Sequence, residues 1–262
     1  MRSPSVQLAA MVLAFALGVP AQSIKAQTGQ WIAAWGTSQE VYGSTTVSNR
    51  TIRMFARVAI GGQALRIRLD NTFSPAPVTF AKVYIGQQAV KRSGDSASRN
   101  ARLVAGSNRQ VFFGGVAGVT IPPGGSVTSD EVQMNVRASQ DLGVSLFVPD
   151  SGIRPSSHNA AQTRSYLTAS GAGDAAADES STPFTSSTTT MFWLKGIDVL
   201  SATSRGAIVA FGDSITDGTC STFDGHDRWL DWLAFRLASL DGAAAKGVVN
   251  EGLSSNTITT IL

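Results

Sequence analysis

Cysteine is almost absent from this chain of 262 residues: Cys220 is the only one. No internal disulfide can form, so stability has to come from buried apolar surface. Charge is also scarce, at 15% of residues with a net +3, and the arginines are scattered along apolar segments (Arg53, Arg57, Arg66, Arg68). A nucleic-acid surface needs basic residues gathered on one face, so that class is set aside. Long apolar runs are lacking as well. Val6 to Val19 is the main one, and it is short for a membrane span. With Arg2 ahead of it and small residues at Val19-Pro20-Ala21 and at Ile24-Lys25-Ala26, it reads as a secretory signal covering 1–26. The mature protein is then expected outside the cell or in the periplasm, off the membrane once the signal is removed. Hydrophobic residues make up 43% of the chain, which supports a packed core and argues against disorder.

What is present between Gln27 and Leu200 is the punctuation of an all-β domain. In "TIRMFARVAIGGQALRIRLDN", Ile52, Met54, Ala56, Val58 and Ile60 alternate with Arg53, Phe55, Arg57 and Ala59. Leu65, Ile67 and Leu69 alternate with Arg66 and Arg68, and Gly61-Gly62 lies between the two runs. The pattern predicts a hairpin with aliphatics on one face and arginines on the solvated one. Further short strands are expected at Val78–Ile85, Gln110–Phe113, Val119–Ile121, Val132–Val136, Leu142–Val148 and Met191–Leu200. Together they predict an antiparallel sandwich or jelly roll. Ala169 to Thr190 is rich in Ser, Thr, Ala and Gly and reads as a loop.

From Ser201 the character changes. Ala207–Phe211 reads as a buried strand, Arg228–Leu240 as a helix capped by Asp227, and Gly247–Asn250 as another strand. Strand, helix, strand predicts a βαβ unit and the start of a parallel α/β domain over 201–262, hence a two-domain α+β chain.

"AIVAFGDSITDG" is the stretch that carries chemistry. In open α/β sheets reactive groups gather beyond the carboxyl ends of the strands, where Ser214 stands. A serine on such a turn can expose its hydroxyl and offer its own N–H to an oxyanion. Thr216 takes the place of the second glycine of a Gly-x-Ser-x-Gly elbow, so that motif is not present. Gly94-Asp95-Ser96 repeats the tripeptide without a strand before it and reads as a surface loop. His158 reads as a surface or interdomain residue. His226, between Asp224 and Asp227, reads as a solvated loop histidine beside a helix cap rather than a base, and a metal needs more ligands. Cys220 reads as a small half-buried loop residue. Trp31, Trp35 and Trp193 read as packing rather than substrate-stacking residues.

"VAFGDSITDG", followed by "DRWLDWLAFRL" and "VVNEGLSSN", resembles the opening of the GDSL, or SGNH, serine hydrolases. "WIAAWGTSQE", the arginine-bearing strands and "FWLKGIDVL" are similar to the N-terminal β domain of a secreted subgroup related to xylan-associated arylesterases. The resemblance implies a flavodoxin-like hydrolase domain after the β domain. It implies Ser214 as nucleophile and as one oxyanion donor, with Gly212 and Asp213 shaping the turn, and a reaction that needs no cofactor or metal. The substrate implied is a small ester or an acylated carbohydrate. Aligning "NEGLSSN" with the second family block puts Ser255 at the glycine whose N–H completes the oxyanion hole. The family's Gly-x-Asn-Asp and Asp-x-x-His blocks do not occur after Asn256, so the catalytic His and Asp are absent and weak activity is expected. The other class left open is a carbohydrate-binding protein with a vestigial hydrolase segment.

The signal expectation has a direct check. Secreted material should begin near Gln22 or Gln27 on N-terminal sequencing, and an exported protein that keeps Met1 would contradict it.

Overall fold

The computed structural model describes residues 29–90, 100–240 and 242–257. The expected signal segment and Gly94-Asp95-Ser96 lie outside the described residues. Among the described residues strand accounts for 45% and helix for 7%. One antiparallel sheet orders β1 (Gln30–Gly36), β16 (Leu194–Ser201), β4 (Gly62–Asp70) and β10 (Val132–Val136), with β9 (Ser126–Thr128) also on β4. The larger sheet orders β14 (Phe184–Thr188), β13 (Ser165–Thr168), β3 (Arg50–Val58), β11 (Gln140–Val148), β6 (Lys82–Gln87) and β7 (Arg109–Gln110). A small sheet joins β15 (Met191–Phe192), β12 (Ser156–His158) and β2 (Val41–Tyr42), and β5 (Val78–Phe80) pairs with β8 (Val119–Ile121).

The two larger sheets contribute to one core. Ile52, Met54 and Val58 of β3 and Val144 and Leu146 of β11 share a buried cluster with Leu65, Ile67 and Leu69 of β4 and Ile197 and Val199 of β16. The alternation seen in the sequence is therefore real, but the expected hairpin is not. β3 pairs with β11 and β13, whereas β4 pairs with β16, β10 and β9. Around Gly61-Gly62 the chain crosses from one sheet to the other, so two apolar faces meet across the core instead of lying side by side. A Cβ on Gly61 would stand 2.6 Å from the Val136 carbonyl oxygen, so the crossing needs glycine.

The arginine face is also more varied than a solvated face. Arg53 is fully buried. Its Nε–H donates to Ser145 Oγ at 2.8 Å, Nη1 to the Ala101 carbonyl at 2.7 Å, and Nη2 to the Asp178 carbonyl. The Phe184 ring lies 4.3 Å from its guanidinium carbon. Burial lowers its pKa to about 10, and carbonyl oxygens satisfy the donors. One side chain thus pins two connecting segments over the outer face of the larger sheet. The stretch expected as loop from Ala169 to Thr190 contains β14, which Leu167 and its neighbours on β13 recruit as an edge strand. Trp193 is completely buried, edge-on to Phe80 at 5.2 Å. Arg66 stacks over Trp31 at 4.7 Å.

The α/β hydrolase domain expected over 201–262 is overturned. β17 (Ala207–Gly212) and β18 (Gly247–Gly252) are parallel, but they form a two-stranded sheet and the chain is mostly β. Among the described residues there are two α-helices, α1 (Ser214–Asp217) and α2 (Trp229–Ala238). A doubly wound fold needs apolar cover on both sheet faces. Here α2 covers one, burying Leu230 with Ala210, Val248 and Ala59. On the other face of β17, Val209 and Phe211 are 59% and 78% exposed. The pair instead attaches to the antiparallel body. Thr37 bridges Asn250 in parallel, and Gly36 meets Val249. The helix itself starts later than expected. Arg228 is the N-cap, with Asp231 Oδ2 accepting the Arg228 N–H at 3.1 Å, while Asp227 accepts from the Thr222 N–H. Trp229, Trp232 and Phe235 remain largely exposed. Among the described residues, no helix is long and apolar enough to cross a membrane.

β18 lies so close to β1 that a Cβ on Gly247 would stand 1.9 Å from the Ala33 carbonyl oxygen. Gly247→Ala should therefore cost about 1–3 kcal/mol of stability in urea unfolding. An unchanged midpoint would mean that β18 is not held against β1.

Candidate active site around Ser214

β17 ends at Gly212, and the chain turns at once into α1. The turn is too tight for a side chain, since a Cβ on Gly212 would stand 2.2 Å from Thr216 Oγ1. Asp213 is the N-cap: its Oδ1 accepts the Ile215 N–H at 2.9 Å. That bond satisfies one of the donors a helix start leaves free. Ser214 is the first helical residue and is half-buried. Gly218 closes the helix in the left-handed region, at φ 106°, with its N–H on the Ser214 carbonyl. Among the described residues no hydrogen bond engages the Ser214 hydroxyl or its backbone N–H.

β18 delivers the second half of the site. Its partner register sets Gly212 beside Gly252, and the Leu253 N–H donates to the Gly212 carbonyl at 3.0 Å. Gly252 has to be glycine, because a Cβ there would stand 2.3 Å from the Asp217 nitrogen. The chain then turns through Ser254 and Ser255, closed by the Asn256 N–H on the Leu253 carbonyl at 3.0 Å. Ser255 has φ 67° and is exposed. The backbone there adopts a conformation that glycine prefers. No hydrogen bond engages the Ser255 N–H among the described residues. Between the two turns is an open groove of about 330 Å³ lined by Phe211, Gly212, Asp213, Asn256 and Thr257.

Four further residues tie these turns together. Asn250 Nδ2 donates to the carbonyls of Thr216 and Asp217 at 2.9 and 3.2 Å, and its Oδ1 accepts the Gly252 N–H at 2.9 Å. Asp217 Oδ1 lies 2.9 Å from His158 Nε2, with 2% and 1% of the two side chains exposed. Asp217 Oδ2 accepts from Ser254 Oγ at 3.1 Å. His158 is therefore a buried contact across the expected domain boundary and not a surface residue. Sequence reasoning passed over Asp217, Asn250 and Ser254, whose only signal was their place inside the two matched blocks.

The second histidine is elsewhere. His226 Nε2 faces Asp141 Oδ1 at 3.4 Å with 10% of its side chain exposed, so it is not the solvated loop residue expected. Burial lowers its pKa, against the opposing pull of Asp141. Asp141 is bidentate on Arg57, at 2.8 and 2.6 Å, and that hydrogen bonding raises the Arg57 pKa. Neither imidazole is hydrogen-bonded to Ser214. Beside the site, burial raises the Glu251 pKa, and Lys195 and Arg68 oppose the shift. Cys220 is exposed, at φ 72°, rather than half-buried. Among the described residues no group of three or more His, Cys, Asp or Glu is placed to hold a metal.

Compared with known proteins, the chain matches no family model, and no curated protein matches it significantly.

The turn geometry at Ser255 can be tested directly. A left-handed conformation costs an ordinary residue roughly 1–2 kcal/mol, and glycine much less. Ser255→Gly should leave stability unchanged or raise it by up to ~1 kcal/mol, while Ser255→Val should lower it by ~1 kcal/mol or more. A clear loss with glycine in thermal unfolding would contradict the backbone described.

Proposed function

We propose that this chain carries the nucleophile half of a serine ester hydrolase of the GDSL type, acting on short acyl esters without a cofactor. The observation that carries the proposal is the pairing of two turns at the carboxyl ends of β17 and β18. One presents the half-buried Ser214 hydroxyl and its N–H, the other the N–H of Ser255, and none of the three is engaged by the described residues. A carbonyl oxygen seated between two such N–H groups has its developing negative charge stabilised where it forms. Ser214 Oγ attacks the ester carbonyl carbon, the alcohol leaves with a proton, and the acyl group stays on Ser214 until water displaces it. Hydroxyl activation needs a base within hydrogen-bond reach. Both histidines have other partners, so turnover by this chain is weak. The resemblance assigns the base to an Asp-x-x-His segment that this sequence does not contain. Export from the cell, and an acylated polysaccharide as the substrate, belong to the same proposal and rest on the sequence alone.

A specific cavity favours a second possibility, carbohydrate binding. It measures about 470 Å³, and its lining combines aromatic Phe55, Tyr166 and Phe223 with charged Arg57, Asp141 and Arg164, outside the Ser214 turn.

A chromogenic acetyl ester separates the two. Slow hydrolysis is expected, lost in Ser214→Ala and kept in Ser96→Ala. Fusing a family-like segment that carries Asp-x-x-His should raise the rate, again only with Ser214 present. Full activity in Ser214→Ala would overturn the assignment. Ordinary enzymatic turnover by the unextended chain that His226→Ala stops would show that the base is His226.

A further inference from the structure

We propose that His158 is the positioning residue of this site: through Asp217 it holds both the helix that starts at Ser214 and the turn that carries Ser255. The assignment rests on Ser214 being the reacting hydroxyl. α1 has only four residues, too few to be stable by itself. What fixes it must come from outside, and three side chains do so: Asn250, His158 and Ser254. Asn250 takes the Thr216 and Asp217 carbonyls, and the Asp217 carboxylate is held at both oxygens.

Those two oxygens have different loads. Oδ2 accepts from Ser254, the residue before Ser255, so the carboxylate links the Ser214 helix to the Ser255 turn. Oδ1 accepts from His158 Nε2–H, and His158 belongs to the antiparallel body. β12 pairs with β15 through His158 and Met191, and Ser157 accepts the Glu40 N–H at 2.9 Å. Glu40 Oε1 in turn accepts the Asn159 N–H at 2.6 Å, and Glu40 Oε2 lies 4.0 Å from His158 Nδ1. The backbone on either side of His158 is thus held in the antiparallel body, and the hydrogen bond to Asp217 is the one its imidazole makes among the described residues. A hydrogen bond to a buried carboxylate is among the stronger ones, and its loss leaves the charge poorly compensated. Without the His158 donor, Asp217 must move toward water. Because Asp217 is three residues after Ser214 and bonded to Ser254, both halves of the oxyanion site move with it.

The test uses the full chain and two readouts. His158→Leu removes the donor, while His158→Gln places an amide N–H close to the Nε2 position. Amide exchange by NMR is followed at Asp217, Gly218, Thr219 and Asn256, whose N–H groups close α1 and the second turn, and at core amides of β3 and β11. Protection at the four site amides should fall about tenfold or more in His158→Leu with the core unchanged, and His158→Gln should recover most of it. If His158→Leu does not fold, His158→Asn, whose amide stops short of Asp217, takes its place. Equal protection in the donor-less variant, failure of glutamine to rescue, or a loss spread evenly through the core would each overturn the proposal. The second readout is the rate at which an activated phosphonate ester labels Ser214, read by mass spectrometry. It should fall and recover in the same order. If wild-type Ser214 takes no label while the exchange pattern is as expected, the esterase proposal fails, and His158 braces the two turns without positioning a reacting hydroxyl.

Discussion

The fold depends on a single act of burial: one apolar face from each of two antiparallel sheets, closed over a common core. With one cysteine there is no covalent alternative. Every other feature is arranged around that core. β3 and β4 are adjacent in sequence yet belong to opposite layers, so the chain has to cross between sheets within Gly61 and Gly62. Trp193 and Phe80 fill space inside that core. The outer faces are then free to carry polar ties such as Arg53 on its carbonyls and the Arg66–Asp198 pair at 3.0 Å. Arg53 fixes which connecting segments lie over β3, and the Arg66–Asp198 pair ties neighbouring strands β4 and β16.

The second layer of organisation is the seam between that body and the segment from Ala207 onward. Glycine at 36 and 247 lets β18 approach β1 to backbone contact distance. Leu230 of α2 closes over Ala59 and Ala210. His158 and Asp217 add a buried polar bond in the same region. The candidate site therefore does not stand on an independent sheet. It is a pair of turns braced from behind by the antiparallel body, and the body's small β2–β12–β15 sheet supplies the brace.

How much of this was legible varies with the kind of signal. The alternation of Ile52 to Ile60 and of Leu65 to Leu69 identified the buried faces, because period-two patterning reports which side of a strand meets the core. It did not identify partners. A hairpin and a crossing between layers bury the same residues, and only contact with β11 and β16 separates them. The Gly-Asp-Ser turn was legible because Gly212, Asp213 and Gly218 act within one short loop. The expectation of an α/β domain failed for a different reason. Strand, helix, strand gives a parallel pair locally, but a doubly wound fold requires cover on the second face, and Val209 and Phe211 have none among the described residues.

By itself the sequence determined that the chain would form a disulfide-free β core, which aliphatic faces would meet it, and that Ser214 would sit on a turn after a strand. These are local properties, set by side-chain periodicity and by backbone preferences within a few residues. The tertiary structure alone decided which strands pair, that Arg53 is buried rather than solvated, and that His158, 59 positions from Asp217, meets it in the interior. Neither partner carries a pattern that names the other. The bond exists because the fold brings His158 of β12 and Asp217, the last residue of α1, out of water at one point, where each can satisfy the other.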